Sequence, residues 1–86
     1  MHIKKNIAIS DSGFIFNPST GDSFSTNPIG LEIIKMLKDG KSREDIKEAI
    51  LKVYATDQST FEKDFYDFLI MLQNIKIIET DEQKKN

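Results

Sequence analysis

The sequence predicts an α+β domain in which a three-stranded antiparallel sheet is followed by three helices. Apolar residues recur at every second position up to about Asn27 and at helical spacing after it. Turn-forming residues at Ser10–Gly13 and Asn17–Asp22 divide the first part into short segments, which predicts a meander. The 86 residues suffice for one domain with one core and one working face.

The three predicted strands are short. The first is Ile3–Ile9, whose three isoleucines share a face at period two. The second is Phe14–Phe16, with both phenylalanines on one face, and the third is Ser23–Thr26, in which Phe24 alone points inward. This pattern places the three phenylalanines in the core.

Each predicted helix has a recognisable start. Asn27 precedes a proline, Ser42 precedes two acidic residues, and Asp57 precedes the last helix, so each can cap free N–H groups. Gly40 suits the left-handed position that ends the first helix, and Asn74 is expected to take the same role after the last one.

One core should join the sheet to the helices. The segment Ile75–Ile78 is expected to pack against it or to form a short strand, the domain to span residues 1–80, and residues 81–86 to form a charged tail. The residues expected to be buried are Ile7, Ile9, Phe14, Phe16, Phe24, Ile33, Leu37, Ile46, Ile50, Phe65, Phe68 and Leu72.

Composition argues against catalysis and against several partners. There is no cysteine, the only histidine is His2 beside the terminus, and no nucleophile has a base nearby, so we expect no enzyme activity, metal or cofactor. The net charge of −2 favours neither nucleic acid nor an anionic membrane. Without an apolar run of signal-peptide or membrane-span length, the cytoplasm is the simplest location.

The sheet edge is the expected binding site for a partner. The third strand is an edge without lysine or proline to discourage pairing, and Tyr66 and Ile70 form an apolar flank beside the core stripe of the last helix. Two alternatives remain open. The short length of the third strand can by itself prevent pairing with another strand, and Tyr66 and Ile70 can belong to a core that extends further around the last helix. If edge and flank form a groove, the expected peptide-binding residues are Asp22, Ser23, Phe24, Ser25, Thr26, Lys63, Tyr66 and Ile70.

Several short motifs occur in a characteristic order. A Thr-Gly turn at Thr20–Gly21 is followed by Asn-x-x-Gly at Asn27–Gly30, by Asp-Gly-x-Ser-x-x-x-Ile at Asp39–Ile46, and by Tyr-x-x-Asp at Tyr54–Asp57 before a helix rich in phenylalanine and leucine. Over residues 3–79 the chain resembles the PqqD family of peptide chaperones, which includes the precursor-recognition domains of ribosomally made, modified peptides.

The resemblance implies a winged-helix-like fold and a function. It implies that a leader peptide adds as a fourth strand between the third strand and the third helix. It also implies a partner enzyme, often a radical-SAM maturase, that modifies the core of the peptide. Two positions depart from the family pattern: Thr26 stands where an aliphatic residue is usual, and Asn74 where glycine is frequent.

Two other functions are compatible with the same elements. A winged-helix DNA-binding regulator has similar content, but the last helix exposes Glu62, Asp64 and Asp67 against one basic residue, Lys63. A structural adaptor that docks on a larger enzyme would share the fold and lack the peptide ligand.

Overall fold

The structure is a computed structural model that describes residues 2–54 and 57–79. Its elements in chain order are β1 (His2–Ile3), β2 (Ala8–Ile9), β3 (Phe14–Phe16), β4 (Ser23–Ser25), α1 (Pro28–Lys38), α2 (Arg43–Val53), α3 (Gln58–Asn74) and β5 (Ile78–Glu79). The predicted α+β architecture is confirmed, with β2, β3 and β4 forming the three-stranded antiparallel sheet. The predicted tail at residues 81–86 lies outside the described residues. No helix in the described ranges is long and apolar enough to cross a membrane.

The first predicted strand is interrupted. Residues 4–7 turn, with the Ile7 N–H donating to the Lys4 carbonyl at 3.3 Å, and this turn separates β1 from β2. β1 pairs antiparallel with β5, so the segment after α3 forms a strand on a second, two-stranded sheet. The three isoleucines therefore do not share one strand: Ile3 lies in β1, Ile9 lies in β2, and Ile7 follows the turn between them. All three still contact the core.

The phenylalanines of β3 lie on the opposite face from the one predicted. Ile15 is fully buried, whereas Phe14 and Phe16 are 47% and 36% exposed. Ile15 pairs with Ile9 on one side and with Phe24 on the other, so these three side chains share the inner face. The two phenylalanines of β3 have the other parity and face outward, which corrects their assignment to the core.

The other residues predicted to be buried do contribute to the core. Ile7, Ile33, Leu37, Ile46, Ile50, Phe65 and Leu72 are buried as predicted, while Ile9, Phe24 and Phe68 are partly buried and pack against that cluster. The isoleucines that follow α3 are also buried: Ile77 is 1% exposed and Ile78 3%. The core therefore lies between the inner face of the sheet and the three helices.

All three predicted helix caps are present. The Asn27 side chain accepts the Gly30 N–H at 2.8 Å, and Ser42 forms a reciprocal capping box with Asp45. Asp57 accepts the Thr60 N–H at 2.9 Å. That backbone bond, with hydroxyl bonds from Thr60 and Ser59, lowers the pKa of Asp57 to about 2. Because the folded-state pKa lies below the unfolded value, this cap stabilises α3 above about pH 4 and is lost as the pH falls toward 2.

The end of α3 differs from the expectation. Asn74 is the last helical residue, and Lys76, not Asn74, has the left-handed conformation, with φ 63°. The N–H groups of Lys76 and Ile77 donate to the carbonyls of Gln73 and Leu72, which is the Schellman pattern of helix closure. The side chain of Asn17, 1% exposed, donates to the Lys76 carbonyl at 3.1 Å and thereby ties the β3–β4 turn to this helix end.

We expect Asn17→Ala to lower the free energy of unfolding by about 1–3 kcal/mol, because it removes buried hydrogen bonds on both sides of the amide. The Asn17 oxygen also accepts the Ser19 N–H at 2.9 Å, so the turn loses its anchor as well. Urea denaturation measures the change. Asn74→Ala is the control, since Asn74 is exposed and should change stability by under about 0.5 kcal/mol. Equal effects of the two substitutions would contradict the role given to Asn17.

Candidate functional site

The outer edge of β4 has no partner strand in the described part of the chain. The Thr26 N–H donates to the Gly13 carbonyl at 2.8 Å, and the Asp22 carbonyl accepts from Asn17 at 2.8 Å. Residues 22, 24 and 26 therefore direct their backbone groups toward β3, because alternate residues of a strand face the same edge. Ser23 and Ser25 have the opposite parity, so their N–H and C=O groups face the open edge.

A groove of about 500 Å³ runs between β4, the start of α1 and α3. Its lining combines one charged carboxylate and a few small polar residues with a majority of apolar side chains. The lining residues are Phe24, Ser25, Thr26, Asn27, Ile29, Gly30, Ile33, Ile50, Phe61, Asp64, Phe65, Phe68 and Met71. An apolar groove beside unpaired backbone groups can bind an extended peptide, with main-chain bonds for affinity and side-chain contacts for specificity.

One flank of α3 forms the wall of this groove. Relative to Phe65 at the centre of the buried face, Phe68 and Met71 are rotated by roughly 60° and 120° toward β4, at ~100° per residue. Met71 remains 37% exposed and Phe68 is partly buried, so both present apolar surface to the groove. Asp64 lies on the same flank and is the charged member of the lining.

The start of α1 closes one end of the groove. Gly30 is buried, and a side chain at this position would overlap the Thr26 hydroxyl, so glycine allows the helix to pack closely against the end of β4. This contact gives a physical reason for the asparagine and glycine spacing of the Asn27–Gly30 motif. It also places Thr26, which departs from the aliphatic residue usual in the family, between β4 and the helix.

The structure brings together part of the set expected to bind peptide. Phe24, Ser25 and Thr26 line the groove, and Ser23 lies on the open edge beside them. Asp22 is exposed just before β4.

The predicted helix flank does not face β4. Tyr66 and Ile70 are rotated by roughly 100° and 140° from Phe65 in the direction opposite to Met71. Neither of them, nor Lys63, lines the groove. Spacing places four of the lining residues on one flank of α3, at intervals of three and four positions, but it does not show that this flank meets β4; these residues are Phe61, Asp64, Phe68 and Met71.

Tyr66 belongs to a smaller cleft of about 190 Å³ between α2 and α3. Lys47 crosses this cleft, with its Nζ 3.0 Å from Glu62 and 3.4 Å from Glu44. The bond from Lys47 lowers the pKa of Glu62, and the bond to Glu62 raises that of Lys47. Lys47, Glu44 and Glu62 are thus paired with one another within the protein.

No metal centre is apparent among residues 2–54 and 57–79: no group of three or more His, Cys, Asp or Glu side chains converges there. His2 is near Glu79, with Nε2 2.9 Å from the carboxylate, across the β1–β5 pair.

Comparisons with known proteins agree with this architecture. The family model described as coenzyme PQQ synthesis protein D (PqqD) matches residues 13–78. A solved structure of TbiB1 in complex with the TbiA(beta) leader peptide is 33% identical in sequence, with a TM-score of 0.82 over 92% of this chain and 95% of that one. A search of curated protein sequences gave no significant match.

A more distant structure shares the fold. It is a lasso peptide synthetase B1 complexed with the leader peptide, 20% identical, with a TM-score of 0.73 over 85% of this chain and 89% of that one. The family match covers most of the chain, and its first matched residue lies in the turn before β3. The chain belongs to the PqqD family.

Proposed function

We propose that this chain binds the leader segment of a ribosomally made precursor peptide as an added strand on β4 and presents it to a modifying enzyme. The observation that carries the proposal is the groove between β4 and α3, where unpaired backbone groups lie beside an apolar wall. The similar TbiB1 structure, which holds a leader peptide, supports the same assignment.

The groove defines the chemistry of the peptide. An added strand would exchange backbone hydrogen bonds with Ser23 and Ser25, whose N–H and C=O groups face the open edge. Every second peptide side chain would then lie on the Phe24 side of the sheet and point toward α3. Since Phe24, Phe68 and Met71 dominate that side, apolar side chains are expected at those peptide positions.

The proposed role is recognition without catalysis. Among the described residues, the groove is lined by a single carboxylate, Asp64, and by no residue positioned as its proton-transfer partner or as an activated nucleophile. The chemistry would come from a separate enzyme, a radical-SAM maturase or another peptide-modifying protein, that acts on the segment after the leader. Since precursor peptides are made on ribosomes, the cytoplasm is the compartment that this function implies.

Isothermal titration tests the function. The probes are two synthetic peptides, the leader half and the core half of a candidate precursor peptide. The leader half should bind with one-to-one stoichiometry and the core half should not. Failure of the leader half to bind, or equal binding of both halves, would contradict the proposal.

Asp64 should contribute to peptide selection. It is the one charged residue that lines the groove, and it has no ion-pair partner among the described residues, so a lysine or arginine of the peptide can pair with it. We expect Asp64→Asn to weaken leader binding about two- to fivefold at low salt.

The control for this effect is Asp67→Asn, because Asp67 is exposed on α3 and does not line the groove. The difference between the two variants should shrink as salt is added, since screening weakens an exposed ion pair. An unchanged affinity of the Asp64→Asn protein at low salt would show that the peptide presents no cation there.

A further inference from the structure

Two aromatic side chains on the outer face of the sheet lie outside the hydrophobic core. Phe14 and Phe16 are 47% and 36% exposed, on the face opposite to the buried Ile15. Both lie on β3, the central strand, where an outward-facing polar residue would satisfy the alternation of a half-buried strand. The groove does not use them either, since neither lines it.

The neighbours of these aromatics on β4 are small. Ser25 lies opposite Phe14 and Ser23 opposite Phe16, with all four side chains on the outer face. The two serines are exposed. They are also the residues whose backbone groups face the open edge. On the outer face of β4, as far as the structure describes the chain, two serines are therefore the side chains between the aromatic pair and an added strand.

The spacing of strands makes contact across these serines feasible. Neighbouring strands lie about 4.8 Å apart, so a strand added to β4 would lie about 10 Å from β3. Aromatic and long side chains on adjacent strands reach diagonal neighbours about 7–8 Å away. Two large side chains that lean toward each other from either side of β4 can span the slightly longer gap of about 10 Å. A serine in the middle leaves room for such a contact, whereas a larger residue would fill it.

We propose that Phe14 and Phe16 form a second peptide-contacting surface, which binds an aromatic or large aliphatic side chain on the outward face of the added peptide strand. This inference rests on the proposed function and extends it. The bound peptide is then contacted on both faces: one row of side chains enters the groove next to α3, and the alternate row packs over Ser23 and Ser25 against the two phenylalanines. The protein would then prefer apolar peptide side chains both at the positions that enter the groove and at the alternate positions that face Phe14 and Phe16.

The test uses a phage-displayed library of random peptides as the probe. Selection is carried out on the wild-type chain and on the double variant Phe14→Thr/Phe16→Thr, because threonine keeps a high strand propensity while removing the aromatic surface. Val53→Thr is the control, since Val53 is an exposed apolar residue on α2, 74% exposed and remote from the sheet. Thermal melting verifies that each variant is folded.

The wild-type and control proteins should select peptides with large apolar residues at alternate positions of both parities. The double variant should retain the preference for apolar residues at the peptide positions that enter the groove and lose it at the alternate, outward-facing positions. For a selected peptide, the double variant should bind about three- to tenfold more weakly, and this loss should vanish when the outward aromatic of the peptide is replaced by serine.

Identical preferences at both parities in the wild type and the double variant would overturn the inference. An unchanged peptide affinity of the double variant would do the same. Ser25→Pro separates this failure from failure of the proposed function. If the selected peptides bind the Ser25→Pro protein as tightly as wild type, strand addition itself is wrong and the inference falls with it.

Discussion

Met71→Glu is expected to weaken leader-peptide binding by about 2–3 kcal/mol, while Ile70→Glu should leave it within about 0.5 kcal/mol. The two residues are adjacent in α3 and nearly equally exposed, at 37% and 38%. They differ in direction, because Met71 lines the groove beside β4 and Ile70 lies on the opposite flank. A carboxylate at position 71 would have to be desolvated against the apolar side of the peptide.

Isothermal titration with the leader peptide measures both variants, and urea denaturation confirms that each is folded. Because the substitutions introduce the same charge at neighbouring, equally exposed positions, general effects of charge on α3 cancel in the comparison. A larger loss for Ile70→Glu than for Met71→Glu would place the peptide on the Tyr66 and Ile70 flank and would contradict the groove.

Ser25→Pro is expected to leave the fold intact and to weaken peptide binding by about 1–3 kcal/mol, since it removes one N–H donor from the open edge. Ser23→Pro has the same parity and should behave in the same way. Thr26→Pro is the contrasting variant, because its N–H bonds to the Gly13 carbonyl at 2.8 Å within the sheet.

Thermal melts and peptide titrations of the three variants distinguish N–H groups that bond within the sheet from N–H groups that face the open edge. Thr26→Pro should lower the melting temperature, whereas the two serine variants should melt close to the wild type. Proline is tolerated at a sheet edge when the lost N–H faces solvent, which is the situation proposed for the free protein. Tight binding by both well-folded serine variants would exclude backbone pairing at this edge.

The order of the three-stranded sheet and the three helices followed from the sequence because local signals dominate it, whereas the split of the first strand into β1 and β2 did not. Asn27, Ser42 and Asp57 each cap a helix as expected from side-chain chemistry alone, and Gly40 ends α1 in the left-handed conformation, with φ 84°. These features depend on neighbours within four residues. They were predictable without knowledge of the tertiary structure.

The inward face of β3 was not predictable in the same way. In Phe14–Phe16 the alternation has apolar residues at both parities, so the sequence contains no polar residue that marks the outer face. The register with Ile9 and Phe24 decides the question and buries Ile15. A strand that is apolar on both faces is expected when both faces are covered, which agrees with the peptide contact proposed for Phe14 and Phe16.

The groove wall depends on how α3 is rotated against the sheet. Both flanks of the helix carry apolar residues, Ile70 on one and Met71 on the other, and spacing alone does not say which flank meets β4. Packing against the buried face of α2, with Ile46 and Ile50 in the shared core, fixes that rotation. Likewise, Asn17 was visible in the sequence only as a turn residue, because its bond to Lys76 joins positions 59 residues apart.

Amide hydrogen exchange of the ¹⁵N-labelled protein, measured by NMR with and without saturating leader peptide, tests strand addition at β4 most directly. In the free protein the Thr26 amide, bonded to Gly13, should exchange slowly, and the Ser23 and Ser25 amides should exchange fast because they face solvent. Peptide binding should slow exchange at Ser23 and Ser25 specifically. If these two amides stay unprotected while the peptide is bound, the peptide does not pair with β4 and the account is wrong.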